Sequence, residues 1–161
     1  MTLTPPPAPR VFTLALPADV PLLNANQRLH HAPRARITDQ IRSKTMEMCS
    51  EDPIIRAALV TAGDQPLMRH AYVLGIVHPK KAGRFDPPNW YPTFKAMVDG
   101  IVDAGLLEDD DHTRVIGPDM RPGDKVPGGR IVLVVQELTA VQHAAFHLGT
   151  FYQAQPMAVP A

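Results

Sequence analysis

Cysteine is almost missing from this sequence: Cys49 stands alone among 161 residues. No internal disulfide can form, and a reducing, cytosolic setting is expected. Long apolar runs are missing as well. The strongest of them, such as residues 131–135, fall far short of the roughly 20 residues a membrane-crossing helix needs. The opening MTLTPPPAPR has prolines where a signal peptide would carry a basic region and an apolar block, so none is expected. The phosphate-loop pattern G-x-x-x-x-G-K-[ST] is absent, and no Ser or Cys lies in a nucleophile motif. His143 and His147 make an H-x-x-x-H pair, but Ala144 stands where a zinc protease places its glutamate. The pair therefore reads as a polar face of a tail helix. Net charge is lacking too, with 16 bases against 16 acids, unlike the basic domain usual among nucleic-acid binders.

Hydrophobic content of 45% and charged content of 20% are ordinary for a folded chain of this length, which suits one domain. Several of the eighteen prolines cluster towards the ends, so residues 1–10 and 140–161 read as a flexible start and a loosely packed tail around a domain at 11–139. The charge is unevenly placed. Residues 28–44 carry Arg28, Arg34, Arg36, Arg42 and Lys44 against Asp39. Residues 69–95 carry Arg69, Lys80, Lys81, Arg84 and Lys95 against Asp86. Residues 99–111 carry six acids and no base. Basic flanks around an acidic centre suit a metal-dependent enzyme acting on a polyanion.

Residues 11–16 alternate and read as a first strand. Residues 22–36 read as a polar loop, either solvated surface or a DNA contact. Thr38 and Asp39 mark a helix start, with Ile41, Thr45, Met48 and Cys49 on one face and Pro53 ending or kinking it. Residues 70–77 have apolar side chains on both faces, as a central strand does. A helix follows to Ala104, with Asn89 as its cap, Pro92 in its first turn and Gly105 closing it. Phe94, Met97, Val98 and Ile101 form its buried stripe, leaving Lys95 and Asp99 on another face. Residues 114–116 and 131–138 read as two strands joined as a long hairpin. The expected fold class is mixed α/β, or α+β: a small mixed sheet packed against two main helices.

The chemistry concentrates in residues 84–115, RFDPPNWYPTFKAMVDGIVDAGLLEDDDHTRV. Four consecutive acids, Glu108, Asp109, Asp110 and Asp111, repel one another unless a cation neutralises them. Hard carboxylate oxygens suit Mg2+ or Mn2+; a solvated acidic loop is the alternative. Lys95 reads either as a partner of Asp99 on the helix surface or as a cation beside a reacting phosphate. A helix of this length spans about 20 Å. Asp86 and the acid run therefore start from its opposite ends, and meeting requires the chain to fold back or a second subunit to contribute.

This stretch resembles the RusA-type Holliday-junction resolvases. The family's helix with Lys, then Asp, then Ala-Gly and an Asp-Asp turn is similar to Lys95, Asp99, Ala104, Gly105 and residues 108–111. The segment Pro21, Asn24 and Asn26 looks like the family's Pro-x-x-Asn-Asn. The likeness covers residues 11–138. It implies a homodimer that binds branched DNA, four-way junctions above all, and cleaves phosphodiesters with Mg2+ or Mn2+ in recombination or repair. By position it implies Asp86, Lys95 and Asp110 as catalytic residues and Asp86, Asp109, Asp110 and Asp111 as metal ligands, with Asn89 and Asp99 behind them. Arg28, Arg34, Arg36, Lys80, Lys81 and Arg84 are the expected DNA contacts. The family's Arg-x-Asp-x-Asp-Asn is here Arg84-Phe85-Asp86-Pro87-Pro88-Asn89, with one Asp and about three extra residues before Lys95. Asp110 and Asp111 remain alternatives as the key ligand. A DNA-binding module weakened in catalysis and a non-enzymatic interaction protein are the competing readings.

Overall fold

Alternating and continuous apolar segments form a four-stranded mixed sheet, seen in a computed structural model that describes residues 8–147. Strand β1 is Val11–Ala15, β2 Ala71–His78, β3 Val115–Pro122 and β4 Arg130–Glu137, in the order β1-β4-β2-β3. β4 is antiparallel to both β1 and β2, whereas β2 and β3 are parallel. The register places Phe12 opposite Val135, Leu14 opposite Leu133, and Val73 opposite Val135. Their side chains therefore share one buried face, as the period of two requires. β2 is central, as its two apolar faces imply.

The expected hairpin between the last two strands does not form. β3 runs to Pro122, longer than expected, and crosses over to pair with β2, while β4 inserts between β1 and β2. Turn residues mark where a chain bends, but pairing partners follow from which strand offers an apolar face. An extra residue in β3 at Gly117-Pro118 shifts its register between Tyr72 and Leu74, which brings Asp119 to the Tyr72 hydroxyl (2.9 Å).

Helix α1, His31–Glu51, begins well before Thr38. Residues 31–36, expected as loop, form its first turns because Ala32, Arg34, Ala35 and Arg36 are good helix formers and Pro33 is tolerated in a first turn. Asp52 then closes α1 and opens α2, Pro53–Ala62, accepting from the Ile54 and Ile55 N–H groups at 2.8 and 3.0 Å. Helix α3, Tyr91–Asp103, lies on the buried sheet face with α1 packed along it, and α4, Ala140–His147, follows β4. Two glycines set these distances. A Cβ at Gly75 would meet the Phe94 ring at 2.7 Å, and one at Gly100 would meet the Arg42 carbonyl oxygen at 2.5 Å. Phe94, Met97, Val98 and Ile101 are buried on α3, and Ile41, Thr45 and Cys49 on α1. Burial pushes the Cys49 thiol up to about 12, so it behaves as an apolar core group.

Residues 140–146 are better packed than the expected loose tail. His143 is buried and stacks on His70 at 4.2 Å, and Phe146 stacks on Tyr72 at 6.1 Å. His143 thus faces the sheet rather than forming a polar face. The side chain of His147 and residues 148–161 lie outside the described part, as do residues 1–7. Among the described residues, no helix is long and apolar enough to cross a membrane.

At the sheet edge, Arg10 donates to both oxygens of Glu137, at 2.8 and 2.7 Å, tying the start of β1 to the end of β4. Those bonds hold the Glu137 carboxyl below its ordinary value, against the opposing effect of burial. The pair's contribution is therefore complete above the ordinary glutamate value, about 4.3, and is lost as pH falls through the lower folded value. With Arg10 41% exposed, solvent screening keeps the effect to about 0.5–1 kcal/mol. Urea midpoints of Glu137→Gln should lie below wild type at pH 7, and the gap should narrow as pH falls below the ordinary glutamate value.

Candidate active site

The site is built on the second and third turns of α3. A 3-10 turn, Pro87–Trp90, leads into the helix, whose cap is Trp90 with no side-chain hydrogen bond. Asn89 is thus not the cap. The two prolines of the turn hold the chain in a tighter coil before the helix begins, and the Asn89 carbonyl accepts from Ala25 N–H at 2.7 Å instead. Thr93, fully buried, donates its hydroxyl to the Leu23 carbonyl (2.7 Å) and accepts from the Leu23 N–H (2.8 Å). These bonds lay residues 23–25 across the beginning of α3.

With the apolar stripe turned to the sheet, Lys95 and Asp99 share a more accessible face one helical turn apart and form an ion pair. The helix closes at Gly105, φ +84°, and Leu106 N–H reaches back to the Ile101 carbonyl at 3.0 Å. Leu106 and Leu107 are buried, so the chain reverses against the core. The acid run folds back along α3, and Asp110 forms an ion pair with Lys95. The difficulty posed by the helix length is thereby reduced. Only four residues, about 6 Å of rise, separate Lys95 from the first residue of α3, just beyond the turn that Asp86 precedes.

The four acids have different partners. Glu108 pairs with Arg114 at 2.5 Å. Asp109 accepts from the Asp110 N–H at 2.7 Å. Asp111 accepts from both the N–H and the hydroxyl of Thr113 at 2.6 Å, forming the turn into β3. Asp110 alone of the run meets Lys95, which separates it from Asp111. Its carboxyl is held below the usual range chiefly by the hydrogen bond from Lys95, with bonds involving Asp99 and Asp109 acting the same way. Burial is the largest single influence on Lys95 and lowers it, but the bonds and charges of Asp110 and Asp99 together outweigh it, so the ammonium is raised. The centre is one lysine paired with two aspartates.

Carboxylates brought together in this way have the oxygen chemistry that Mg2+ or Mn2+ takes. Among the described residues, no three of His, Cys, Asp and Glu are grouped closely enough to hold a metal ion. The expected set of Asp86, Asp109, Asp110 and Asp111 is therefore not gathered at one point in this chain. Asp86 lies exposed in a shallow depression with Arg84 and Phe85. The fit to a divalent cation lies in the donor type and in Asp99 and Asp110 sharing Lys95 as their partner.

The two basic stretches approach each other at one point. Gln27 and Lys80 line one cavity, and residues 23–25 lie across the beginning of α3. Arg28 thus follows directly from a residue that shares a wall with the loop carrying Lys80, Lys81 and Arg84. Arg34 and Arg36 follow on the first turns of α1. The pairing of Asp110 with Lys95 and the basic residue Arg130 in the cavity wall were not legible as site features, because chain neighbours give no sign of either. Compared with known proteins, the chain matches no protein-family model and no curated protein.

Proposed function

We propose that this chain is a Mg2+-dependent endodeoxyribonuclease that cuts branched DNA, the four-way junction above all, as the resemblance to the RusA-type resolvases implies. The observation that carries this reading is Asp110 folding back to the Lys95–Asp99 pair on α3. Arg28, Arg34, Arg36, Lys80, Lys81 and Arg84 bind backbone phosphates and supply the salt-dependent part of the affinity. Lys95, kept protonated by its two carboxylates, transfers its hydrogen bonds to a substrate phosphate and stabilises the charge that develops there. Asp110 and Asp99 would then be the carboxylates that hold Mg2+ or Mn2+; Asp109 and Asp86, which this chain does not gather with them, would complete the set only through substrate or a second subunit, with Asn89 supporting them. Asp111 remains with the Thr113 turn. Such a cation, when bound, polarises the phosphodiester and acidifies water. The natural assembly is a homodimer, one active site per strand pair, working in the cytosol in recombination or repair.

A second reading, a branched-DNA-binding module weakened in catalysis, is favoured by Pro88, which stands where a second upstream carboxylate would be. A labelled synthetic four-way junction with the purified protein and Mg2+ tests both. Paired symmetric nicks are expected, with linear duplex of the same sequence uncut and EDTA abolishing the reaction. Binding without nicks across Mg2+ and Mn2+ leaves the weakened module, and neither binding nor nicks removes both.

A further inference from the structure

At one end of the sheet, the ends of β1 and β2 and the start of β4 enclose a cavity of about 480 Å3. That is within the range of small-molecule sites, roughly 300–1,000 Å3. Its floor is aliphatic, and two aromatic side chains, Phe85 and Trp90, stand in its wall. Both are partly buried and pack against the core, so their positions are set by the fold. The charged groups are all of one sign. Lys80 and Arg130 are exposed on the wall, and no lining residue is acidic, in a chain whose acids equal its bases.

The two remaining polar side chains are already oriented. His78 Nδ1 donates to the Asp124 carbonyl at 2.8 Å, which leaves Nε2 as an acceptor. The Gln27 Oε1 accepts from Asn24 N–H at 2.9 Å, which leaves the amide nitrogen to donate. Aromatic walls, two cations with no carboxylate among the lining residues, one acceptor and one donor match an aromatic heterocycle carrying a phosphate. A purely apolar ligand would leave the cations without use.

We propose that this cavity takes one unstacked nucleotide of a DNA strand, its base against Trp90 and Phe85 and its phosphate on Lys80 and Arg130. Bases leave a stack most readily where pairing is already interrupted, and aromatic side chains replace the lost stacking. That a DNA strand supplies the nucleotide rests on the nuclease reading above; that a nucleotide fits rests on the walls alone. The pocket then recognises the open centre of a branched substrate, where duplex arms cannot reach.

Trp90 is the sole tryptophan, so its fluorescence reports occupancy directly. Titrating the whole protein with oligothymidylate of three nucleotides, without metal, should quench Trp90 emission saturably. Lys80→Ala combined with Arg130→Ala should weaken this by about tenfold or more, with an unchanged melting temperature showing that the variant folds. An abasic oligonucleotide of the same length should produce little quenching. Equal quenching by the abasic strand, equal affinity of the double variant, or no quenching at millimolar oligonucleotide would each overturn the proposal. A second measurement separates it from the nuclease reading. Junction nicking with no Trp90 response removes the pocket and keeps the enzyme; a Trp90 response without nicking does the reverse.

Discussion

Asp110→Asn is expected to lower junction nicking by roughly 10²–10³-fold while leaving junction affinity unchanged or slightly higher. Asparagine keeps the shape of the side chain, and its oxygen can still accept a hydrogen bond from Lys95, so the turn after α3 should persist. What disappears is a negative charge. Asp110 is one of the two carboxylates that hold the Lys95 ammonium above its ordinary value and that would face a divalent cation. Loss of a carboxylate near a polyanion removes repulsion, so binding should not suffer. The contrasting substitution is Asp111→Asn, whose carboxylate is engaged with Thr113 rather than Lys95. It should retain most of the nicking and show its effect in thermal stability. Single-turnover nicking with saturating protein, paired with a junction-binding titration, makes the comparison. Comparable losses in the two variants would remove Asp110 from its assigned role.

Phe94→Ala should be the most damaging core truncation, costing about 3–5 kcal/mol and lowering the melting temperature by about 10 °C. Phe94 is fully buried and fills the space above Gly75, where no side chain from β2 intervenes. The reverse change, Gly75→Ala, puts a methyl carbon 2.7 Å from that ring and should cost about 1–3 kcal/mol by overpacking. The two errors partly cancel, since the added methyl occupies the space the missing ring leaves. The double variant should therefore be more stable than the sum of the singles predicts, by more than about 0.5 kcal/mol. Additive losses in denaturant titrations would show that the ring and the glycine do not share one packing site. Nicking should fall with these variants only as the folded fraction falls, because Phe94 faces the sheet and Lys95 the other side.

Some of this protein could be read directly from residue order. The apolar stripe of α3, the stop at Gly105, the central position of β2 and the pairing of Lys95 with Asp99 all follow from periodicity or from partners within one helical turn, and such local preferences persist in the folded chain. Other features depended on contacts between distant residues. α1 extended back through residues expected as loop because its packing on α3 stabilises turns that propensity alone leaves marginal. β3 paired with β2 rather than β4 because an apolar strand face is satisfied by any suitably placed partner, and turn residues cannot name one. The acid run looked like like charges requiring a metal, yet folding gave Glu108, Asp109, Asp110 and Asp111 separate partners. Which carboxylate reached Lys95 was decided by where buried Leu106 and Leu107 reversed the chain. The cavity joining Gln27, Lys80, Trp90 and Arg130 likewise exists only once strands far apart in sequence lie side by side.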